Sequence, residues 1–161
     1  MIVVSDTSPI SGLLIIEKEI LLEELYHQVF IPVAVKNELL KIKERRKRLT
    51  AFLNSKAIII KDNPNSAFYK KLRKELDEGE SQAIALAQEL KSGLILIDET
   101  KGRMAAKNSG LNVIGLMGIL LEAKTKSLVT TIKPELDILI NNNFWVHESL
   151  YDKVLILAGE K

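Results

Sequence analysis

The sequence predicts an α/β fold built on a mainly parallel sheet that is covered by helices on both faces. Three observations carry this. Five short apolar runs, at residues 2–4, 29–31, 57–60, 94–97 and 112–114, alternate with longer stretches of helical periodicity. Such runs, bounded by turn residues, suit strands of a parallel sheet buried on both sides. No linker, repeat or low-complexity tract divides the 161 residues, so one domain over residues 1–161 is expected, long enough to bury a sizeable core.

The elements follow in order. The first strand ends at Asp6-Thr7-Ser8-Pro9, where Ser8 suits a helix N-cap and Pro9 a first helical position. Two short helices are predicted over 10–16 and 18–26. After the second strand, Pro32 opens a helix to about residue 43, and the charged segment 42–48 continues it or links it to 49–54. The third strand leads to helices over 64–76 and 78–91, the second of which starts at Asp77-Glu78-Gly79-Glu80, a variant of the capping box. The fourth strand ends in Asp98. A helix over 101–108 is stopped by Gly110, the fifth strand follows, and helices are expected over 117–126, 134–141 and 149–157.

Composition narrows the function. A hydrophobic content of 47% with 27% charged residues is ordinary for a globular chain. The absence of cysteine excludes disulfides and thiolate metal sites. No apolar run approaches the ~20 residues that span a bilayer, and MIVVSDTS lacks the basic and apolar regions of a signal peptide, so a cytoplasmic protein without membrane contact is expected. A net charge of +2 does not argue nucleic-acid binding by itself.

Four acidic residues stand where carboxylates are awkward. Asp6 and Asp98 follow apolar strands, and ligands of open parallel sheets collect beyond the strands' carboxyl ends. Glu38 shares a helical face with Ala34, Val35 and Ile42, and Glu80 shares one with Ala83, Ile84 and Ala87. Each has a structural alternative: Asp is a preferred cap and turn residue, a helix-edge Glu can reach solvent, and Glu80 fits the capping box. Taken together, the four can ring a pocket whose self-repulsion a divalent cation removes. Oxygen ligands alone suit Mg²⁺ or Mn²⁺, and both histidines, His27 and His147, are distant in sequence. Metal-dependent phosphate chemistry needs no protein nucleophile.

The segments VVSDTSPISGLLII, IPVAVKNEL, LDEGESQAIALAQEL and LILIDETKGRMAAKNSGLNVIGLMGILLEAK together resemble the PIN-domain family. More narrowly they are similar to its DUF3368-type branch, related to the VapC toxins of toxin–antitoxin pairs, and the likeness runs from about residue 2 to 160. The resemblance implies a Rossmann-like α/β/α sandwich and a Mg²⁺- or Mn²⁺-dependent endoribonuclease. It implies an acidic quartet of catalytic, metal-binding residues at Asp6, Glu38, Glu80 and Asp98, with no position missing. Thr7 or Ser8 matches the hydroxyl beside the first Asp, placed to orient that carboxylate or a water. Glu99 departs from the plainest pattern, as a spare ligand or a helix start. RNA, a small antitoxin protein and a homodimeric state are the implied partners.

A dehalogenase-type phosphatase needs D-x-D after the first strand, which Asp6-Thr7-Ser8 does not supply, and a receiver domain needs an early acidic pair, which Ser5-Asp6 is not. A noncatalytic RNA-binding or protein-interaction module retaining the fold is the different-class reading. For RNA contact, Lys101 and Arg103 lie one helical turn beyond Asp98. The basic run Lys41, Lys43, Arg45, Arg46, Lys47 and Arg48 suits either an RNA backbone or a solvated helix end. The stripes Leu13-Ile16-Ile20 and Leu116-Ile119-Leu120-Ala123 read as core, and Phe144 and Trp145 as packing for the C-terminal helix.

Overall fold

A computed structural model describes residues 1–161. In chain order it has β1 (Val3–Ser5), α1 (Thr7–Ile15), α2 (Ile20–Tyr26), β2 (Val29–Pro32), α3 (Val33–Leu40), α4 (Arg46–Leu53) and β3 (Ile58–Lys61). It continues with α5 (Ala67–Leu72), α6 (Glu78–Glu89), β4 (Leu94–Leu96), α7 (Thr100–Asn108), β5 (Val113–Ile114), α8 (Leu116–Thr125), α9 (Lys133–Asn141) and α10 (Glu148–Leu157). The five strands form one sheet in the order β3-β2-β1-β4-β5, and every pairing is parallel. The helices flank it as a Rossmann-like α/β/α sandwich.

Burial explains the composition of the central strands. Val3, Val4, Ser5, Ile95, Leu96 and Ile97 have no exposed surface, as both faces of β1 and β4 are covered. One continuous core of 39 buried residues gathers both faces. Helix α6 is buried from Gly79 to Ala87, packed on β1, β2 and β4 and against α3, α5 and α7. Its alanines at 83, 85 and 87 allow that close approach, and the helix carries its N-terminal turn to the carboxyl end of the sheet.

Several local expectations are corrected. Ser8 does not cap α1; the helix starts at Thr7, Asp6 holds the N-cap position without a side-chain cap bond, and the Ser8 hydroxyl turns elsewhere. The helix after Pro32 does not reach residue 43. It stops at Leu40, where the Arg46 guanidinium donates to the carbonyls of Leu40 and, at 3.2 Å, Ile42. Like charges one turn apart disfavour a continuous helix there, and a cation suits the terminal carbonyls. Arg45 then takes a left-handed φ of 57° to start α4. The 64–76 helix shrinks to α5 because Ser66 caps it, accepting the Tyr69 N–H at 3.1 Å. Gly110 ends α7 as predicted, with φ +82°. Of the apolar stripes only Ile20 lies outside the core, 51% exposed. Trp145 is the larger correction: it is 79% exposed and packs nothing onto the body, whereas its neighbour Phe144 is half-buried beside Gly12.

Candidate active site

β1 and β4 are adjacent, but β1 leads on to β2 on one side and β4 to β5 on the other, so the strand order reverses between them. The crevice beyond such a reversal is where ligands of open α/β sheets bind. Asp6 directly follows β1, and its N–H donates to the Leu96 carbonyl at 2.9 Å. Asp98 lies two residues beyond β4. Glu38 comes in from α3 and Glu80 from the first turn of α6. All four line a single cleft of about 750 Å³, together with Asp77, Glu99, Thr7, Ser8, Ser11 and the segment Asn143–His147.

Hydroxyls position two of the carboxylates, though not the one that the sequence suggests. Thr7 Oγ1 donates to Glu38 Oε2, and Ser8 Oγ donates to Asp98 Oδ2 at 2.9 Å. The other Asp98 oxygen accepts the Leu116 N–H at 2.7 Å, which ties the site to the start of α8. Neither hydroxyl orients Asp6. Asp77 accepts the Glu80 N–H at 2.9 Å, so Asp77 caps α6, but Glu80 returns no bond to the Asp77 N–H: only half of the capping box forms, and the Glu80 carboxyl lines the cleft beside Asp77.

Glycines make room for the carboxylates. A Cβ on Gly79 would collide with the Glu38 carboxylate, one on Gly115 would lie 2.7 Å from Asp98 Oδ1, and one on Gly102 would clash first with Ile97 Cδ1 at 2.6 Å and crowd Glu80 Oε2 at 3.1 Å. All three glycines sit at a helix N-cap or in a first turn. Glycine within a helix destabilises it by ~1 kcal/mol relative to alanine. Gly79 and Gly102 are therefore a legible signal, overlooked in the sequence, that something must approach the backbone closely. Asp77 was equally readable as a cleft residue, since a cap three residues before Glu80 shares its end of the helix.

The electrostatics are those of an uncompensated acidic cluster. None of the ion pairs in the chain includes Asp6, Glu38, Glu80 or Asp98. Burial pushes Asp6 up to about 7; the Thr7 N–H opposes this, and repulsion from Asp77, Glu38 and Asp98 adds to it. Burial likewise raises Glu80 to about 8, reinforced by its hydrogen bond with Asp77 and by repulsion from Asp77, Asp6 and Glu99. Asp98 is raised by burial as well, against the Leu116 N–H, the Ser8 hydroxyl and the nearby Arg103.

The donor set suits a hard divalent cation. It is all oxygen, it is at least half-buried at Asp6, Glu38, Glu80 and Asp98, no lysine or arginine lines it, and glycines keep Glu38 and Asp98 clear. No three of the acidic or histidine side chains are gathered closely enough to enclose one ion by themselves. Mg²⁺ does not require that, because it is commonly held by one or two carboxylates and completes its shell with water and substrate.

The sequence profile of DUF3368, described as a PIN domain, matches residues 2–160. The chain belongs to the PIN-domain family. PIN domains are generally nucleases and typically use divalent metals. A solved structure of a PilT N-terminus domain protein from the hyperthermophilic archaeon Sulfolobus solfataricus P2 is similar in fold, with a TM-score of 0.56 and 20% identity over 76% of this chain and 93% of that one. No curated protein matches.

Within this PIN domain, the remaining candidates separate from the cleft. Glu99 is exposed and lies among the lining residues, at the N-cap of α7 but without a side-chain cap bond. Lys101 is exposed, and neither it nor Arg103 lines the cleft. Arg103 is half-buried, and its Nη1 donates to the Ile97 carbonyl at 3.1 Å, so its charge supports Asp98 from behind. In the basic run, Arg48 is also engaged within the protein, 2.6 Å from Glu19 Oε1 and donating to the Glu17 carbonyl at 2.9 Å. No helix is long and apolar enough to cross a membrane.

Proposed function

We propose that this chain is a divalent-metal-dependent endoribonuclease that hydrolyses RNA phosphodiesters. The observation that carries the proposal is a cleft at the strand-order reversal lined by buried and half-buried carboxylates, none of which is in an ion pair. Asp6, Glu38, Glu80 and Asp98 would hold Mg²⁺ or Mn²⁺, with Glu99 at the rim. A divalent cation, when bound, offsets charge on the phosphodiester and makes water a better nucleophile near neutral pH. The chain's own residues prepare the site. Thr7 and Ser8 fix Glu38 and Asp98 by hydrogen bonds, and the Leu116 N–H holds the second Asp98 oxygen. Asp6 and Glu80 retain protons into the neutral range, and these protons must leave before both carboxylates can serve as ligands.

The resemblance to VapC toxins extends the proposal to the toxin of a toxin–antitoxin pair, restrained by a small antitoxin protein and acting as a homodimer. Arrest of growth on expression, relieved by the product of an adjacent small reading frame, tests that extension. The wide spacing of the carboxylates favours one other reading, a noncatalytic RNA-binding module on the same fold. Labelled RNA incubated with Mn²⁺, with EDTA, and with Asp6→Asn separates the two. Cleavage only in the first condition is expected, and cleavage unchanged in Asp6→Asn would overturn the nuclease.

A further inference from the structure

The cleft that holds the carboxylates has a second wall, and its chemistry is unlike the first. Six carboxylates, Asp6, Glu38, Asp77, Glu80, Asp98 and Glu99, line the cleft, and no lysine or arginine does. The protein's own side chains therefore offer a polyanion none of the cationic phosphate contacts that usually dominate nucleic-acid affinity, and beyond what a bound metal ion supplies, their grip must fall on the bases. Opposite chemistry to that of the acids is supplied by the segment Asn143–His147 between α9 and α10.

The segment is built to present a ring. Asn143 turns the chain with φ 64°, and the Phe144 N–H donates back to the Leu139 carbonyl at 2.9 Å. From there the residues alternate: Phe144 and Val146 are half-buried, Trp145 and His147 exposed. Alternation with period two puts Trp145 and His147 on the same side of an extended segment. His147 is anchored as the N-cap of α10, its Nδ1 accepting the Ser149 N–H at 3.1 Å. The Trp145 and His147 rings meet edge-to-face, 5.8 Å apart with 78° between their planes. Edge-to-face rings do not stack on each other, so each keeps at least one face free. Leaving an indole 79% exposed forfeits the burial that makes tryptophan worthwhile in a core. A ring exposed in the cleft is free for a planar ligand.

We propose that Trp145, braced by His147, is a stacking platform that holds an unpaired base of single-stranded RNA over the carboxylates. The proposal rests on the ribonuclease reading for the identity of the ligand. A base stacks only when it is free of a duplex, so the platform selects single-stranded or looped RNA over paired RNA. Because stacking is not a charge contact, its contribution does not fade with salt as a phosphate contact does.

The chain has one tryptophan, so its intrinsic fluorescence reports Trp145 alone. The full chain is titrated, in EDTA and high salt, with an unstructured RNA oligonucleotide and with the same sequence as a duplex. Saturable quenching by the single strand, several-fold tighter than by the duplex, is expected. In the Mn²⁺ assay, Trp145→Ala is expected to raise KM for the single strand on the order of tenfold, with kcat within about twofold, and Trp145→Phe to recover most of the loss. Quenching without any cleavage would leave the platform standing and remove the nuclease. Cleavage with an unchanged KM in Trp145→Ala, equal quenching by the duplex, or an unquenched tryptophan whose replacement instead abolishes self-association would each overturn the platform.

Discussion

The two walls of the cleft differ in how they are held and in what they cost the fold. The acidic wall stands on the rigid centre of the molecule, at the ends of β1 and β4 and on the buried helix α6, and its carboxylates are fixed by Ser8, Thr7, the Leu116 N–H and three glycines. The aromatic wall is a five-residue stretch of the α9–α10 connection, fixed by Phe144, Val146 and the His147 cap, with its largest ring in solvent. The first wall concentrates unfavourable charge and needs a rigid scaffold to keep it together. The second concentrates apolar surface that a ligand can cover. On the proposed function, the labour divides: chemistry on the rigid scaffold, and the grip on substrate at the loop.

The comparison is broken most directly by removing charge from the acidic wall. Asp6→Asn is expected to lower RNA cleavage by about a hundredfold or more, measured as kcat with Mn²⁺. The same substitution is expected to raise the melting temperature of the metal-free protein at pH 8, because the ionised Asp6 is unfavourable in the fold. Next in size is Gly79→Ala. Its Cβ would occupy the space of the Glu38 carboxylate, and ~1–3 kcal/mol of stability is expected to be lost together with at least tenfold in activity. Denaturant midpoints and single-turnover rates read the two effects separately.

The aromatic wall is expected to respond differently. Trp145→Ala should leave the denaturant midpoint within ~0.5 kcal/mol of the wild type while raising KM, since an exposed ring contributes little to folding. A large loss of stability there would merge the two walls into one structural unit. Smaller again is Ser8→Ala, which removes one of the two bonds to Asp98 and is expected to lose ~1 kcal/mol of stability and a few-fold in kcat.

pH separates the two walls as well. Asp6 and Glu80 bind their protons more tightly folded than unfolded, where a carboxyl titrates near about 4. The metal-free protein therefore has the full benefit below that value and loses it as pH rises through about 7 and about 8. Melting temperatures without metal should fall across that interval. The upward shift on adding Mn²⁺ should grow over the same interval, since a cation binds the ionised native site only. An apo melting temperature that rises between pH 5 and pH 8 would contradict the burial of these two carboxyls.

Much of the scaffold was legible, because its signals are local. Five apolar runs, the Asp77 cap, Pro134 at the start of α9 and the Gly110 stop each depend on a few neighbouring residues. The positions of Asp6 and Asp98 at strand ends were equally local. Misreadings arose where a contact made in the folded chain overrode the local preference. Ser8 looks like a cap and instead bonds Asp98, 90 residues away, while Arg103 looks like a free cation and instead bonds the Ile97 carbonyl beneath the site. Trp145 looks like packing for the C-terminal helix and is instead 79% exposed.

By itself, then, the sequence determined the alternation of strands and helices, the acidic ends of β1 and β4, and the oxygen-only character of the donors, since periodicity, caps and composition act over one or two turns. The tertiary structure alone decided which hydroxyl meets which carboxylate, which glycines cradle them, and that a tryptophan faces the same cleft. Those outcomes depend on the β1–β4 crossover and on the return of α9 and α10 over the sheet's carboxyl end. Contacts across tens of residues are selected by the packing of the whole core, which no local pattern encodes.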